Sequence, residues 1–474
     1  MTDAVPFDLA VRGGHAVLPG GEADVDVGIR GGLIAAIGPH LGPARRDLDA
    51  RGKLVLPGGV DTHCHMDQPP WDGMSTADDL DTGTLSALCG GTTTVVPFAM
   101  QLRGMSLHGA AADYRRKAAA KAHIDYNFHL IIGDPTAEAL QRDLPQLVAE
   151  GCTSVKVYMT YDGLKLDDGE LLRVLDAARG LGVLAMVHAE NDAVVRWLTD
   201  KLARAGLTSM RHHAVSRPAL GDREAAFRAI ALSELVEVPI LIAHVSTAGV
   251  VEEIRRAQAR GLRILAETCP QYLYLASDDL DVPGLEGARF VCTPPPREPA
   301  DQDAVFAGLR DGTLSILSSD HSPWHFADKV RHGGCFCTVP NGIPGIETRL
   351  ALLFSDAVMG GRLSLADFVE RTSAGPARIF GLHPRKGAIA VGSDGDLALW
   401  DPEREVTVTN AMLHHACDHT PYEGRRLRGW PVTTIGRGEV LWHEGRVLSR
   451  PGRGRFIPAG LPLVPAVEPQ SWLR

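Results

Sequence analysis

The segment Asp61-Thr62-His63-Cys64-His65 follows a short apolar stretch at Val60. Side chains on a strand alternate between its two faces, so His63 and His65 share one face and both imidazoles can reach one ion. Other polar groups stand in or just after apolar runs. Lys156 lies within Ser154–Met159, His188 closes Val183–Val187, His244 follows Ile240–Ala243, and Asp320 follows Leu314–Leu317. Imidazole and carboxylate donors suit Zn²⁺ and similar divalent ions. A lysine among them needs particular chemistry. Its ammonium form, with a reference pKa of about 10.4, has no lone pair and repels cations. Reaction with CO₂ gives a carbamate, an anionic two-oxygen ligand able to bridge two metals. Taken singly, each residue has a plainer reading. His188 and His244 read as hydrogen-bonded core histidines, Lys156 as a side chain snorkelling outward from a barrel bottom, and Asp320 as a helix N-cap before Ser322 and Pro323. Together, at the ends of predicted barrel strands, they point to a metal centre.

Eight such runs recur: Val60, Thr92–Phe98, Tyr126–Ile132, Ser154–Met159, Val183–Val187, Ile240–Ala243, Arg263–Ala266 and Leu314–Leu317. Stretches of helical character, such as Asp168–Leu181 and Asp222–Leu235, separate most of them. Short buried strands alternating with helices give parallel β/α units, and eight units close a barrel. An open doubly wound sheet is the competing architecture. The polar residues favour the barrel, whose active sites lie at the C-terminal ends of its strands. Phe7 to Leu56 has a different texture, short apolar bursts punctuated by Gly pairs, and reads as small antiparallel strands. That texture returns after Gly387, at Ile389 and Val391, Leu397 and Leu399, Val406 and Val408, and Val440 and Leu441. The expected fold is therefore α/β: a (β/α)8 TIM-like barrel over 57–384, with a small β-sandwich domain built from both chain ends, 1–56 and 385–474.

Composition narrows the function classes. Acidic residues number 58 against 48 basic, a net charge of −10, which argues against nucleic-acid or anionic-membrane partners. No run of 18 apolar residues exists, so no transmembrane helix is expected. Met1-Thr2-Asp3-Ala4-Val5 has an acid and no basic run, so no secretory signal is expected. The 8 cysteines are scattered, and a disulfide framework is not expected in a chain this long. The default setting is a reduced cytoplasm. Cys335 and Cys337 form a C-x-C pair that lacks the partner pair a metal knuckle needs.

At these motifs the sequence resembles the cyclic amidohydrolases, within them the hydantoinase/dihydropyrimidinase branch. Pro57-Gly58-Gly59-Val60-Asp61-Thr62-His63-Cys64-His65-Met66-Asp67 matches that branch's first metal motif. Thr76-Ala77-Asp78-Asp79-Leu80, Thr82-Gly83-Thr84 and Gly90-Gly91-Thr92-Thr93 match its next block. Ser154-Val155-Lys156-Val157-Tyr158-Met159-Thr160-Tyr161 resembles the block with its carboxylated lysine and catalytic tyrosine. His188-Ala189-Glu190-Asn191, Ser216-Arg217-Pro218, Ala243-His244-Val245-Ser246, Glu267-Thr268-Cys269-Pro270-Gln271-Tyr272-Leu273, Ser319-Asp320-His321, Pro340-Asn341-Gly342 and Pro421-Tyr422-Glu423-Gly424 follow in family order.

The resemblance implies metal-dependent hydrolysis of the cyclic amide bond of a hydantoin or 5,6-dihydropyrimidine, giving an N-carbamoyl amino acid. His63 and His65 would hold the more buried metal with Asp320, and His188 and His244 the second. Lys156, as N6-carboxylysine, would bridge the two ions, most simply Zn²⁺, together with a hydroxide. Two metals lower the pKa of water between them and polarise the carbonyl. Asp320 would carry the proton to the departing ring nitrogen. Tyr161 would stabilise the oxyanion. Thr293, where relatives often have Ser, and Asn341 would contact the ureide through the main chain. A homotetramer, or a homodimer, is the implied assembly.

Competing activities separate on particular residues. Dihydroorotases carry Arg two positions beyond the H-x-H and allantoinases carry Asn; here the residue is Asp67. A cyclic-imide hydrolase or an allantoinase-like enzyme is the alternative, because imides and ureides share the C(=O)–N–C(=O) unit. The family's non-enzymatic scaffold relatives have lost metal ligands, whereas all six positions are present here. Outside the motifs, His129 reads as core. His325 and His332 read as solvated loop residues, and Gly445–Arg455 as turns with exposed charge. Trp71 reads equally as a substrate gate or a surface-loop anchor.

Overall fold

A computed structural model describes residues 6–463. The start Met1–Val5, where no secretory signal is expected, and the last residues of the tail lie outside the described residues. Eight parallel strands form the barrel. They are Gly59–Asp61, Thr92–Val95 resuming as Phe98–Met100, Asp125–Tyr126 resuming as His129–Ile131, Ser154–Tyr158, Leu184–His188, Ile240–Ile242, Ile264–Thr268 and Ile316–Leu317. Each pairs in parallel with the next, and each coincides with one of the eight apolar runs. The strands Ser154–Tyr158 and Leu184–His188 are buried throughout, which is why they read as unbroken apolar runs.

The intervening helices carry their own start and stop signals. Asp168–Leu181 begins behind a capping box of Asp167 with Glu170 and ends at Gly182, whose φ of 69° is the left-handed conformation glycine favours. The helix read as Asp222–Leu235 is longer, Ala219–Val236, because its first turn starts directly behind Pro218.

The first and eighth strands are too short to seal the barrel by a ladder. Side chains and a single backbone bridge between Cys64 and His321 do it instead. The buried Arg349 guanidinium donates through Nη1 to Leu317 O at 2.8 Å and Val60 O at 3.4 Å, and its Nε lies 3.5 Å from Asp61 Oδ2. Asp61 Oδ1 accepts from the Ser319 amide at 3.1 Å, and the His65 amide donates to His321 O at 2.7 Å.

Both chain ends join one nine-stranded sheet. Leu54–Pro57 pairs antiparallel with Leu397–Thr407 and parallel with Leu9–Leu18, so it connects the two halves. The expectation of antiparallel strands needs correction here. Asp47–Asp49 and Leu54–Pro57 run parallel to Leu9–Leu18, because the chain crosses over after Gly38 before returning. Ile389 and Val391 form no strand; Ile389 is core and Val391 is exposed. Lys386 ties this sheet to the barrel, donating to Asp125 at 2.7 Å and Asp396 at 2.6 Å.

Cys335 and Cys337 are joined in a disulfide, where reduced thiols were expected. The two flank Phe336 in one tight turn, so the bond reflects local adjacency and not a framework. The other six cysteines are buried and free. No helix among the described residues is long and apolar enough to cross a membrane.

Replacing Arg349 with Met would leave the Asp61 carboxylate buried without its cation. Breaking a buried pair in this way costs about 3–5 kcal/mol. Thermal unfolding followed by circular dichroism should show a melting temperature lower by several degrees. An unchanged melting curve would contradict the sealing role.

Candidate metal centre

The C-terminal ends of the strands deliver the polar groups to one mouth. His63 and His65 follow the first strand, Lys156 lies within the fourth, and His188 is the last residue of the fifth. His244 and Asp320 stand just beyond the sixth and eighth. Asp320 Oδ1 lies 3.3 Å from His63 Nε2 and 3.5 Å from His65 Nε2. Lys156 Nζ lies 3.5 Å from His63 Nε2. The His63 and His244 ring centres are 5.3 Å apart, and those of His188 and His244 4.5 Å. All six side chains singled out in the sequence therefore meet at one place. Three residues of this region hold left-handed backbone without being glycine: Tyr161 at φ 79°, His244 at 39° and Asp320 at 48°. Such conformations persist where the surroundings over-determine them, as at functional sites.

A second layer orients the imidazoles. His63 Nδ1 hydrogen-bonds the Glu267 carboxyl, which also accepts from Ser318 Oγ at 2.7 Å. His188 Nε2 is 2.7 Å from Glu190 Oε2, and Glu190 Oε1 accepts from Arg217 at 3.1 Å. These bonds leave His63 Nε2, which faces Lys156 Nζ, and His188 Nδ1 as the nitrogens that carry the lone pairs. Outer partners of this kind fix the tautomer of metal-ligating histidines.

The electrostatics agree. Burial, reinforced by the nearby Lys156 and neighbouring imidazoles, holds His63 and His244 well below the usual histidine range. Burial also lowers His188, opposed by Glu190. Neutral rings keep the lone pairs that ligation needs. Burial pushes the Lys156 ammonium down to about 8, against Glu267 and Asp320, so the nucleophilic free amine is accessible near neutral pH.

Divalent cations fit this donor set. His63, His65 and Asp320 offer three ligand atoms all within 4.8 Å of one another. His244 Nδ1 is buried without a hydrogen-bond partner, as an imidazole aimed at something other than protein can be. Another acidic trio, Asp125, Asp394 and Asp396, has its charge met by Lys386 together with Arg385 and Arg437.

Tyr161 stands beside His188, ring centres 5.1 Å apart, and its hydroxyl hydrogen-bonds Thr293 Oγ1. Burial raises its pKa, so it remains a protonated donor. The Asn341 carbonyl accepts from Trp324 Nε1 at 3.1 Å, while its side-chain Oδ1 is buried without a partner. Trp71 is half exposed and meets Trp324 edge-on at 6.5 Å. Asp67 accepts from Lys121 at 2.8 Å and from the Leu80 amide at 3.2 Å. His129 is core, held between Ser154 Oγ and Thr62 O, and His332 meets Asp72 at the surface. Within Gly445–Arg455, Arg453 is not an exposed charge: its side chain packs onto Glu439 and the Gly436 carbonyl.

Sequence reasoning did not single out Glu267, Glu190, Arg217 or Ser318 as functional, although the first three lie inside the quoted motifs. The available signal was an acid closing an otherwise apolar strand at Glu267 and one just past the fifth strand at Glu190.

The description "Amidohydrolase family" applies to the family model that matches residues 54–441. D-hydantoinase of Rhizobium radiobacter is 45% identical over 452 residues, covering 95% of this chain and 98% of the relative. A solved D-hydantoinase superposes with a TM-score of 0.93 at 43% identity, covering 96% of this chain and 99% of the other. The dihydropyrimidinase of Brevibacillus agri NCHU1002 gives 0.94 at 39% identity, over 96% and 99% of the two chains.

Glu267→Leu removes the acceptor on His63 while keeping apolar bulk. Loss of such an outer partner typically costs about 10- to 100-fold in metal affinity. Competition against a chelator should show that loss, with the fold intact by circular dichroism. Affinity equal to the parent's would remove Glu267 from the account.

Proposed function

The chain belongs to the amidohydrolase family, and from that premise we propose that it hydrolyses the ring amide of a hydantoin or 5,6-dihydropyrimidine to an N-carbamoyl amino acid. One observation carries the reading: four imidazoles, an amine and a carboxylate converge at the strand ends of one barrel. The relatives named D-hydantoinase and dihydropyrimidinase support the substrate class.

His63, His65 and Asp320 would hold one divalent ion, and His188 and His244 another. Lys156 would serve both as a carbamate, its amine lone pair bonding the carbon of CO₂ with loss of a proton. Zinc suits these nitrogen and oxygen donors. When bound, such ions supply Lewis acidity that activates water near neutral pH and polarises a carbonyl.

The chain's own groups do the rest. Tyr161, a neutral phenol beside His188, donates to the carbonyl oxygen as negative charge develops there. The main chains of Thr293 and Asn341 orient the flat ureide. Asp320 takes a proton from the attacking water and returns it to the ring nitrogen as the C–N bond breaks, so water adds across that bond. Ring substituents face a loop with Pro70, Trp71 and Met74. Those three side chains offer a carboxylate substituent no counter-charge, so burying it against them would carry an unrepaid desolvation cost.

The same reading divides the chain at 57 and 385 into a metal-dependent barrel and a sheet domain from both ends. Assembly as a homotetramer, or a homodimer, fits apolar side chains on the outer helices, with Trp197 62%, Leu220 73% and Phe227 58% exposed. A cytoplasmic setting fits the six free thiols.

Turnover of dihydrouracil, dihydrothymine, 5-substituted hydantoins, succinimide and allantoin, read by carbamoyl product, tests the substrate class. Hydantoins or dihydropyrimidines should be opened; succinimide alone turning over would replace the ureide with an imide. On the preferred ring, Tyr161→Phe should keep its metal and lose about 10²- to 10³-fold in kcat. Near-normal turnover would remove the oxyanion role.

A further inference from the structure

Lys329 is fully buried, yet among the described residues no carboxylate pairs with it. It ends the short helix Phe326–Lys329, and its Nζ donates to two backbone carbonyls, Val291 O at 2.9 Å and Pro340 O at 3.2 Å. Those carbonyls belong to two chain segments far apart in sequence. One leads into Thr293 and the other into Asn341. The segments also touch directly, since the Gly342 amide donates to the same Val291 oxygen at 3.1 Å. Lys329 thus stands behind the two stretches of main chain proposed to hold the ureide, at the point where they meet.

A buried cationic side chain without a counter-ion is costly. Burial pushes the Lys329 amine down to about 7. A neutral amine has two N–H donors, and two carbonyls are there to receive them. An apolar residue would fill the same volume without that cost but could not bond either carbonyl. The lysine's distinctive contribution is therefore the link itself.

We propose that Lys329 is a positioning residue that fixes the spacing between the Thr293 and Asn341 backbones and so sets affinity for the substrate ring. This rests on the reading that those two backbones grip the substrate. The ring contacts concerned exist before and during the reaction, so their loss appears in KM more than in kcat. A displacement of about 1 Å at a positioning contact can cost up to about 10²-fold.

The test compares the metal-loaded wild type with Lys329→Met and Lys329→Gln on dihydrouracil, hydantoin and succinimide. On whichever ring the wild type opens, Lys329→Met should raise KM about 10-fold or more. Its kcat should stay within about threefold and its metal content should match the wild type. Lys329→Gln, which keeps an N–H donor, should fall between the two. An unchanged KM, or a fall in kcat that tracks metal loss, would overturn the assignment. If neither variant folds, Lys329 is a folding determinant and the assignment fails. A wild type that opened none of these rings would overturn the ureide reading and this assignment with it, whereas a normal wild type with an unaffected variant would overturn only the assignment.

Discussion

His63 stands just past the first barrel strand and Asp320 just past the eighth, yet their polar atoms are 3.3 Å apart. Everything at the centre depends on the closure that makes this possible. Strands of three and two residues cannot supply it by backbone pairing alone. Arg349 bonds a carbonyl on each side of the seam, and Asp61 accepts from the chain just before Asp320. A charged pair in a barrel wall is expensive unless its geometry satisfies both partners. Here that cost maintains a register on which the convergence of His63 and Asp320 relies.

The same logic extends outward. The His63 and His188 rings are kept neutral by burial, and their far nitrogens are bonded to Glu267 and Glu190. Glu190 is held in turn by Arg217, whose carbonyl accepts from Arg297, which pairs with Asp222 at 2.5 Å. These two rings are thus held in orientation by the fold itself, which is what electrostatic preorganisation requires. Tyr161, His244 and Asp320 adopt left-handed backbone within this packed frame, and the surrounding contacts hold them there.

Much of this was legible in the sequence because it depends on local rules. Alternation, read along a strand, brought His63 and His65 together although both lie just past the strand's end at Asp61, and eight buried runs pointed to the barrel. The helix Asp168–Leu181 announced itself through Asp167, Glu170 and Gly182. What stayed hidden depends on tertiary adjacency. Nothing near Arg349 signals that it will meet Asp61, and nothing near Lys329 signals Val291 and Pro340. The parallel pairing of Leu54–Pro57 with Leu9–Leu18 follows from a crossover that alternation cannot reveal. The start of the helix at Ala219 was missed because its first turn lacks the apolar rhythm, and Pro218 was the overlooked cue.

The central proposal is that six side chains, carried by five strands of the barrel, form one centre that would hold two divalent ions through a carbamate on Lys156. Metal content and carbon-13 NMR on one preparation, made with labelled bicarbonate, test it most directly. The account predicts about two ions per chain. It also predicts one labelled carbamate carbon that disappears with Lys156→Ala and returns with bicarbonate after chelation and reloading. Fully active protein with no metal, or with two ions and no labelled carbamate, would contradict it.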